Sequence, residues 1–523
     1  MEIAIIGAGA ATVCLLDALA QTTTPANGLT IYERSAHLWR GRPYQQDSSA
    51  IRVNAPPEEM SVRAGDPDHF PRWLGTRVGR GVVGTEPDPR SGARFVSRAV
   101  YGDYLEHAAQ DAIAQLRARG WRVEIVNTAV TRARRARDRI QLRTADGARR
   151  TADYAVLCVG GDRPADEYGL ETRSGFVRDP YPTTETLDDV GSDQRVAIIG
   201  SGLTAVDVVM ALAARNHRGP ITMVSRHGTL PAVRQPHVPY ELKHFTPVRM
   251  RAWADQRRRV GLRELVDLMH AELVDAGEHP PDTFDEVLTV STEDPLRRLR
   301  RHLDAVHAAD RGLRILQRAV PDSGQDVWQV LSDGDRNQVM GVHLRTIMNL
   351  CCPMPPRNAA ALLHLHDTGQ LEVVPGLKSV EPGNRGGFAL TADRDVDSDV
   401  AVNAVNAPAQ RIPAGARSLV ESLVRAGLAE HHPFGGLAIQ RQTSRLTVGG
   451  QCDRRLFALG DITFGSLFFT FGIPVLVDRG VDIVHTLLAD MHATIRTAPR
   501  PQPQRRHDDH ATNGQPAALP SRH

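Results

Sequence analysis

Residues 2–12 read EIAIIGAGAAT and residues 195–205 read RVAIIGSGLTA. In each, an apolar run of strand character meets a glycine turn, then an Ala/Leu/Val-rich segment whose spacing predicts a helix. That order is the one found in dinucleotide-binding units. Gly7 and Gly200 permit the tight turn, Gly9 and Gly202 let the backbone approach a pyrophosphate, and the amides opening the helix face the phosphates. The third glycine of the pattern, which allows close packing of helix on strand, is Thr12 in the first unit and the small Ala205 in the second. One such turn alone is a weak signal. The strand that follows each one supplies the context.

Those following strands end differently. LTIYER reaches Glu33, whereas ITMVSR reaches Ser225 and Arg226, and Glu33 and Arg226 fall at the same offset from the first glycine of their turns. A carboxylate accepts hydrogen bonds from ribose hydroxyls and repels a 2′-phosphate, while arginine offers that phosphate a bidentate fork. The first site therefore reads as FAD-like and the second as NADP-like, unless Arg226 is simply exposed at a strand end. Two later stretches favour FAD at the first site. YAVLCVGG (154–161) is an apolar strand ending in Gly160-Gly161, and RLFALGDITFG (455–465) is a strand running into Gly460-Asp461.

Composition narrows the class. A chain of 523 residues with 41% hydrophobic content has room for two to four domains, and a formal charge of +2 gives no reason to expect a nucleic-acid or membrane partner. The five cysteines are odd in number and form no C-x-x-C, which argues for a reducing compartment and against a zinc site or a redox pair. No apolar stretch approaches the roughly 18 residues that span a bilayer. The N-terminus has no basic region of a signal peptide, so a cytoplasmic location is expected. Residues 493–523, rich in Pro, Arg, Gln and His, read as a disordered tail.

The full set (glycine turn, distal acid, mid-chain strand-Gly, late strand-Gly-Asp) resembles the flavoproteins that bind two dinucleotides. In that resemblance Asp461 holds the flavin ribityl chain. Between the two turns, GRPYQQDSSAIRVNAPPEEMSVRAGDPDHFPRWL (41–74) and FVSRAVYGDYLE (95–106) resemble the FAD/NAD(P)-binding family that includes amino-acid N-oxygenases, notably the nitrosuccinate-forming aspartate N-monooxygenases. The resemblance covers about 1–230 and 400–490. This chain departs from it at Ala10-Ala11-Thr12, where a Pro-Arg-Gly type continuation is common, and at Asn406, where a glycine is usual.

The expected fold is α/β with two Rossmann-like domains and a helical insertion: 1–190 and 396–492 form the FAD domain, and 191–395 the NADP domain with its insertion at about 240–345. The resemblance implies an FAD- and NADPH-dependent monooxygenase in which reduced flavin adds O2 as a C4a-hydroperoxide and passes one oxygen to an unprotonated amine. The implied substrate is a small amino acid of specialised metabolism, the acidic ones included. By the same resemblance the 40–60 loop lies beside the flavin. Gln45, Gln46 and Asn54 are then candidates for the ring or the peroxide, and Arg40, Arg42 and Arg52 for phosphate or a substrate carboxylate. Each is also a common kind of surface polar residue. Phe468, Phe469 and Thr470 are candidate pocket residues, ahead of a helix from about Pro474 to Leu488. The basic face of 294–307 reads as solvated or as attracting an acidic substrate, and Cys351-Cys352 as a buried pair. Two other readings stay open: a reductase that inserts no oxygen, and a nucleotide-sensing protein that keeps FAD for structure.

Overall fold

Both apolar runs become central strands. The computed structural model describes residues 1–497 except Pro25, Asp162, Val238, Pro239, Ser291, Arg385 and Phe471. From edge to edge the first sheet contains Arg445–Val448, Gln451–Ala458, Tyr154–Leu157, Glu2–Ile6, Gly28–Glu33 and Arg122–Asn127. All neighbours are parallel except the first pair. Its central strands Glu2–Ile6 and Tyr154–Leu157 are buried on both faces, as continuous apolar runs require. One face packs on the helices Ala10–Ala20, Arg98–Ala118 and Ile473–Thr497, the other on the antiparallel strands Val130–Ala136, Arg139–Thr144 and Arg149–Ala152 and the helix Arg417–Arg425.

The second sheet is parallel throughout, in the order Leu371–Val374, Ile221–Val224, Val196–Ile199, Val400–Asn403, Phe176–Val177. Helices Leu203–Ala214, Pro295–Asp304 and Pro356–Asp367 cover one face. Two of its strands, Phe176–Val177 and Val400–Asn403, lie in segments that the sequence reading gives to the first domain. VAVN is buried on both faces and carries no alternation that would assign it to a sheet; its register against Val196–Ile199 decides. We therefore place the crossings between sheets in 158–175 and 404–444.

The expected insertion consists of helices from Pro247–Asp255 to Leu344–Cys351, which, apart from Pro295–Asp304 on the second sheet, share a core with the late residues Phe464, Phe468 and Phe469. Three side chains of the helix Gly312–Val330 reach across to the late segment of the chain. Gln325 Nε2 donates to Phe469 O at 2.7 Å, Trp328 Nε1 to Gly465 O at 2.7 Å, and Gln329 Nε2 to Ser466 O at 2.6 Å. The Trp328 ring stacks on Phe468, centroids 4.9 Å apart. The last helix starts one residue before Pro474 and continues to Thr497, so residues 493–497 of the expected tail are helical; 498–523 lie outside the described residues.

Candidate active site

The exits of three adjacent parallel strands converge on the first dinucleotide turn. Gly7, at φ +105°, donates its N–H to Tyr32 O at 2.8 Å, and a Cβ on it would lie 2.3 Å from Cys158 O. Only glycine fits there. At Gly9 a Cβ would meet only the Cα of Gly41, at 3.8 Å, so the two glycines bring their backbones close together at the opening of the helix Ala10–Ala20 and leave Gly9 free of side-chain obstruction. Thr12, fully buried, turns its hydroxyl back to Gly7 O at 2.6 Å. The residue that replaces the third glycine thus braces the turn. Glu33 accepts from Ala8 N and Ser35 N, both at 2.8 Å, which fixes its carboxylate while lone pairs are left for ribose hydroxyls. Gly160-Gly161 and Gly460-Asp461 come side by side because their strands are neighbours: a Cβ on Gly161 would lie 3.6 Å from Asp461 Oδ2. Burial pushes the Asp461 carboxyl up, partly offset by the Thr470 hydroxyl that donates to it at 3.3 Å.

The 40–60 loop differs from expectation at several residues. Arg40 is buried, and its five N–H groups go to Glu106 (2.6 and 3.0 Å), Asp103, Tyr44 O (3.2 Å) and Ala99 O (3.1 Å). A guanidinium has five such donors, so none is left for a phosphate. Arg52 is likewise tied to Phe95 O, Gly84 O and Glu86. Arg42 forks onto Asp179 at 2.6 and 3.2 Å and reaches Asn406 at 3.3 Å. Gln46 is exposed and donates to Asp103 at 3.2 Å, while Gln45 stands outside the central cavity. Asn54 lines that cavity and gives its carbonyl to Arg234 Nε at 3.1 Å.

The second turn repeats the first with more room. Gly200, at φ +117°, donates to Val224 O at 2.7 Å; at Gly202 a Cβ would meet nothing within 4 Å, and Ala205 is fully buried. The Ser225 hydroxyl shares a 2.8 Å hydrogen bond with Ser201 and accepts from Gly228 N at 3.0 Å. Because Ser201 donates in turn to Thr229 O, the one Ser225 proton is engaged within the loop, so Ser225 shapes the site rather than presenting a donor to a phosphate. Arg226 is exposed and, among the described residues, paired with no carboxylate. Burial lowers the Arg345 guanidinium and the His227 imidazole, and Arg226 lowers both further. Uncompensated positive charge at this end of the sheet suits a 2′-phosphate. Arg345 escaped the sequence reading because it comes from the insertion.

Between the two turns and the insertion lies a cavity of about 1060 Å³. Asn54, Met60 and Tyr44 line it from the first domain, Leu203 from the opening of the second dinucleotide helix, and Phe469 and Ile473 from the segment after Asp461. Seven arginines also line it (Arg234, Arg251, Arg311, Arg314, Arg318, Arg441, Arg479), against five carboxylates (Glu59, Asp322, Asp326, Asp478, Asp482). Arg311, Arg314 and Arg318 form one face of the helix Gly312–Val330 and its N-cap, a spacing visible in the sequence that the more conspicuous 294–307 segment overshadowed. That segment's Arg300 and Arg301 pair with Asp367, Glu286 and Glu293 away from the cavity. Burial pushes the Asp322 and Asp478 carboxyls up. Cys351 and Cys352 line the wall, and burial raises both thiols, Cys352 to about 11, which keeps them protonated. Phe468 is core, stacked on Trp328, while Phe469 reaches the cavity.

Residues 4–162 match a family model described as FAD-NAD(P)-binding, and residues 91–273 match one for L-lysine 6-monooxygenase/L-ornithine 5-monooxygenase. The chain is an NADPH-dependent flavin monooxygenase. The first match contains the Gly7 turn and the second contains the Gly200 turn. Similar solved structures include an ornithine N-hydroxylase of Kutzneria sp. 744, at 15% identity and TM-score 0.52, covering 94% of this chain and 99% of that one. An L-lysine 6-monooxygenase from Pseudomonas syringae gives 16%, 0.54, 93% and 99%. A cadaverine monooxygenase from Erwinia amylovora bound to FAD gives 12%, 0.51, 93% and 94%. At such identities these likenesses establish the fold of the flavin monooxygenase. No curated protein matches it in sequence. Among its described residues, no helix is long and apolar enough to cross a membrane.

Proposed function

We propose that this flavin monooxygenase hydroxylates the amine of a small amino acid bearing a side-chain carboxylate, in specialised metabolism. The observation that carries the reading is the excess of arginine over carboxylate around the cavity. The similar structures are named for ornithine, lysine and cadaverine, each of which brings a second cationic amine. A wall with net positive charge opposes a second ammonium and attracts a second carboxylate. FAD supplies the oxygen-activating chemistry when bound and reduced by NADPH. The chain's own residues do the rest. The unobstructed Gly9 at the helix opening and Glu33 suit the FAD diphosphate and ribose, Asp461 its ribityl chain, and Arg226 with Arg345 the NADPH phosphate. Asn54, held by Arg234, faces the reacting region. Asp322 and Asp478, raised by burial, are the cavity groups suited to take a proton from the substrate ammonium, so that its nitrogen can act as nucleophile.

The test is turnover of the FAD-loaded protein with NADPH, 18O2 and a panel of aspartate, glutamate, ornithine and lysine, read by mass spectrometry of the amine product. One 18O on the nitrogen of aspartate or glutamate is the expected result. Label only on ornithine or lysine overturns the acidic substrate, and NADPH oxidation with no labelled amine moves the protein to the reductase reading.

A further inference from the structure

A buried charged group that the mechanism does not use lies where the two dinucleotide domains meet. Arg98 opens the helix Arg98–Ala118 on the first sheet, and Asp207 sits in the helix Leu203–Ala214 that the Gly200 turn introduces. Their charges meet at 2.6 Å with the side chains 16% and 4% exposed. Tyr181 completes the group: its hydroxyl donates to Asp207 and accepts from Arg98 Nη1 at 3.2 Å, while Arg98 Nε donates to Arg52 O at 3.3 Å. One turn earlier on the same helix, Thr204 accepts from Asn406 Nδ2 at 3.0 Å, and Asn406 accepts from Arg42, the neighbour of the Gly41 that faces Gly9. Asp47 adds a third tie, accepting from Thr183 N and Oγ1 at 2.9 and 2.6 Å. Ile51, from the same loop as Asp47 and Arg42, is fully buried in the core of the second domain.

A directional, buried ion pair does little for net stability compared with apolar packing of the same volume, but it fixes a geometry. Here it fixes the helix that carries the NADPH turn against the domain that carries the FAD turn. We propose that Arg98 and Asp207 are positioning residues for hydride transfer, and that their ion pair sets the separation of the two dinucleotides. The inference depends on the FAD and NADPH sites and not on the identity of the amine, so it is read with no amine present.

The experiment uses two full-length, FAD-loaded variants: Arg98→Met/Asp207→Leu, which replaces the pair by apolar side chains, and Asp207→Asn, which keeps shape and the Tyr181 contact. Measured for each are FAD content, the affinity for NADP+ by equilibrium titration, hydrogen exchange of residues 41–54 and 203–214 without turnover, and anaerobic flavin reduction at saturating NADPH. Because a misplacement of about 1 Å costs up to about 100-fold in rate, reduction is expected to slow about 10- to 100-fold. FAD content should hold, and exchange in both segments should rise. Reduction within about twofold of the parent in either FAD-loaded variant overturns the proposal, whatever happens to melting temperature. So does slower reduction with unchanged exchange in both segments.

Discussion

The Gly7 and Gly200 turns have nearly the same backbone, φ +105° and +117°, but not the same clearance. A Cβ would meet Cys158 O at 2.3 Å in the first and Ala404 O at 3.3 Å in the second. In both, the obstructing carbonyl belongs to the exit of the next parallel strand. The first turn is also braced from within by Thr12, whereas Ala205 leaves the second with apolar contact alone. One motif has therefore been built twice at different tightness. The closed form suits a cofactor that stays and the open form one that comes and goes each turnover.

The contrast can be broken most forcefully at the glycines. Gly7→Ala combines positive-φ strain of about 1–3 kcal/mol with a backbone collision, and should yield insoluble or colourless protein. Gly200→Ala carries similar strain without the hard collision; it should stay yellow by absorbance and lose NADPH affinity in a titration. Next comes charge. Arg226→Ala removes a charge-assisted contact to phosphate of about 1.5–3 kcal/mol, so KM for NADPH should rise about 10- to 100-fold while KM for NADH barely moves. An equal rise for both nucleotides would place Arg226 outside the phosphate site. Smaller still is Thr12→Val, which keeps the volume but loses the hydrogen bond to Gly7 O. It should lower stability by about 1 kcal/mol in a urea titration and release FAD at lower denaturant.

The smallest effect concerns pH and the first domain alone. Burial, helped by Arg63, lowers the His69 imidazole to about 4, where it hydrogen-bonds the Tyr104 hydroxyl at 2.7 Å. Between that value and the ordinary one of about 6.5 the unfolded chain binds more protons than the folded chain. Its contribution is thus complete above the ordinary value and is lost as pH falls towards the folded one. His69→Gln should flatten the acid limb of a melting-temperature profile by a few degrees, about 2–4 °C per kcal/mol for a domain of this size.

The places of both turns, of Glu33 and of Asp461 at strand exits were legible in the sequence because they depend on neighbours close along the chain. Arg40 was not. Its partners, Asp103 and Glu106, are more than sixty residues away, and a linear scan cannot tell a guanidinium that clamps a helix from one that meets a phosphate. The pairing of Val400–Asn403 with Val196–Ile199 is not legible for a related reason, since an all-apolar strand does not encode its neighbour. The arginine face at 311–318 had helical spacing in plain view, but nothing in the spacing says that the face meets a cavity.

The clamp of Trp328, Gln325 and Gln329 on residues 465–469 has a consequence for how the protein is made. The core of the insertion includes Phe464, Phe468 and Phe469, which leave the ribosome more than a hundred residues after Trp328. During synthesis the helix Gly312–Val330 waits with an aromatic face uncovered, and a nascent chain halted before residue 464 offers that face to chaperones.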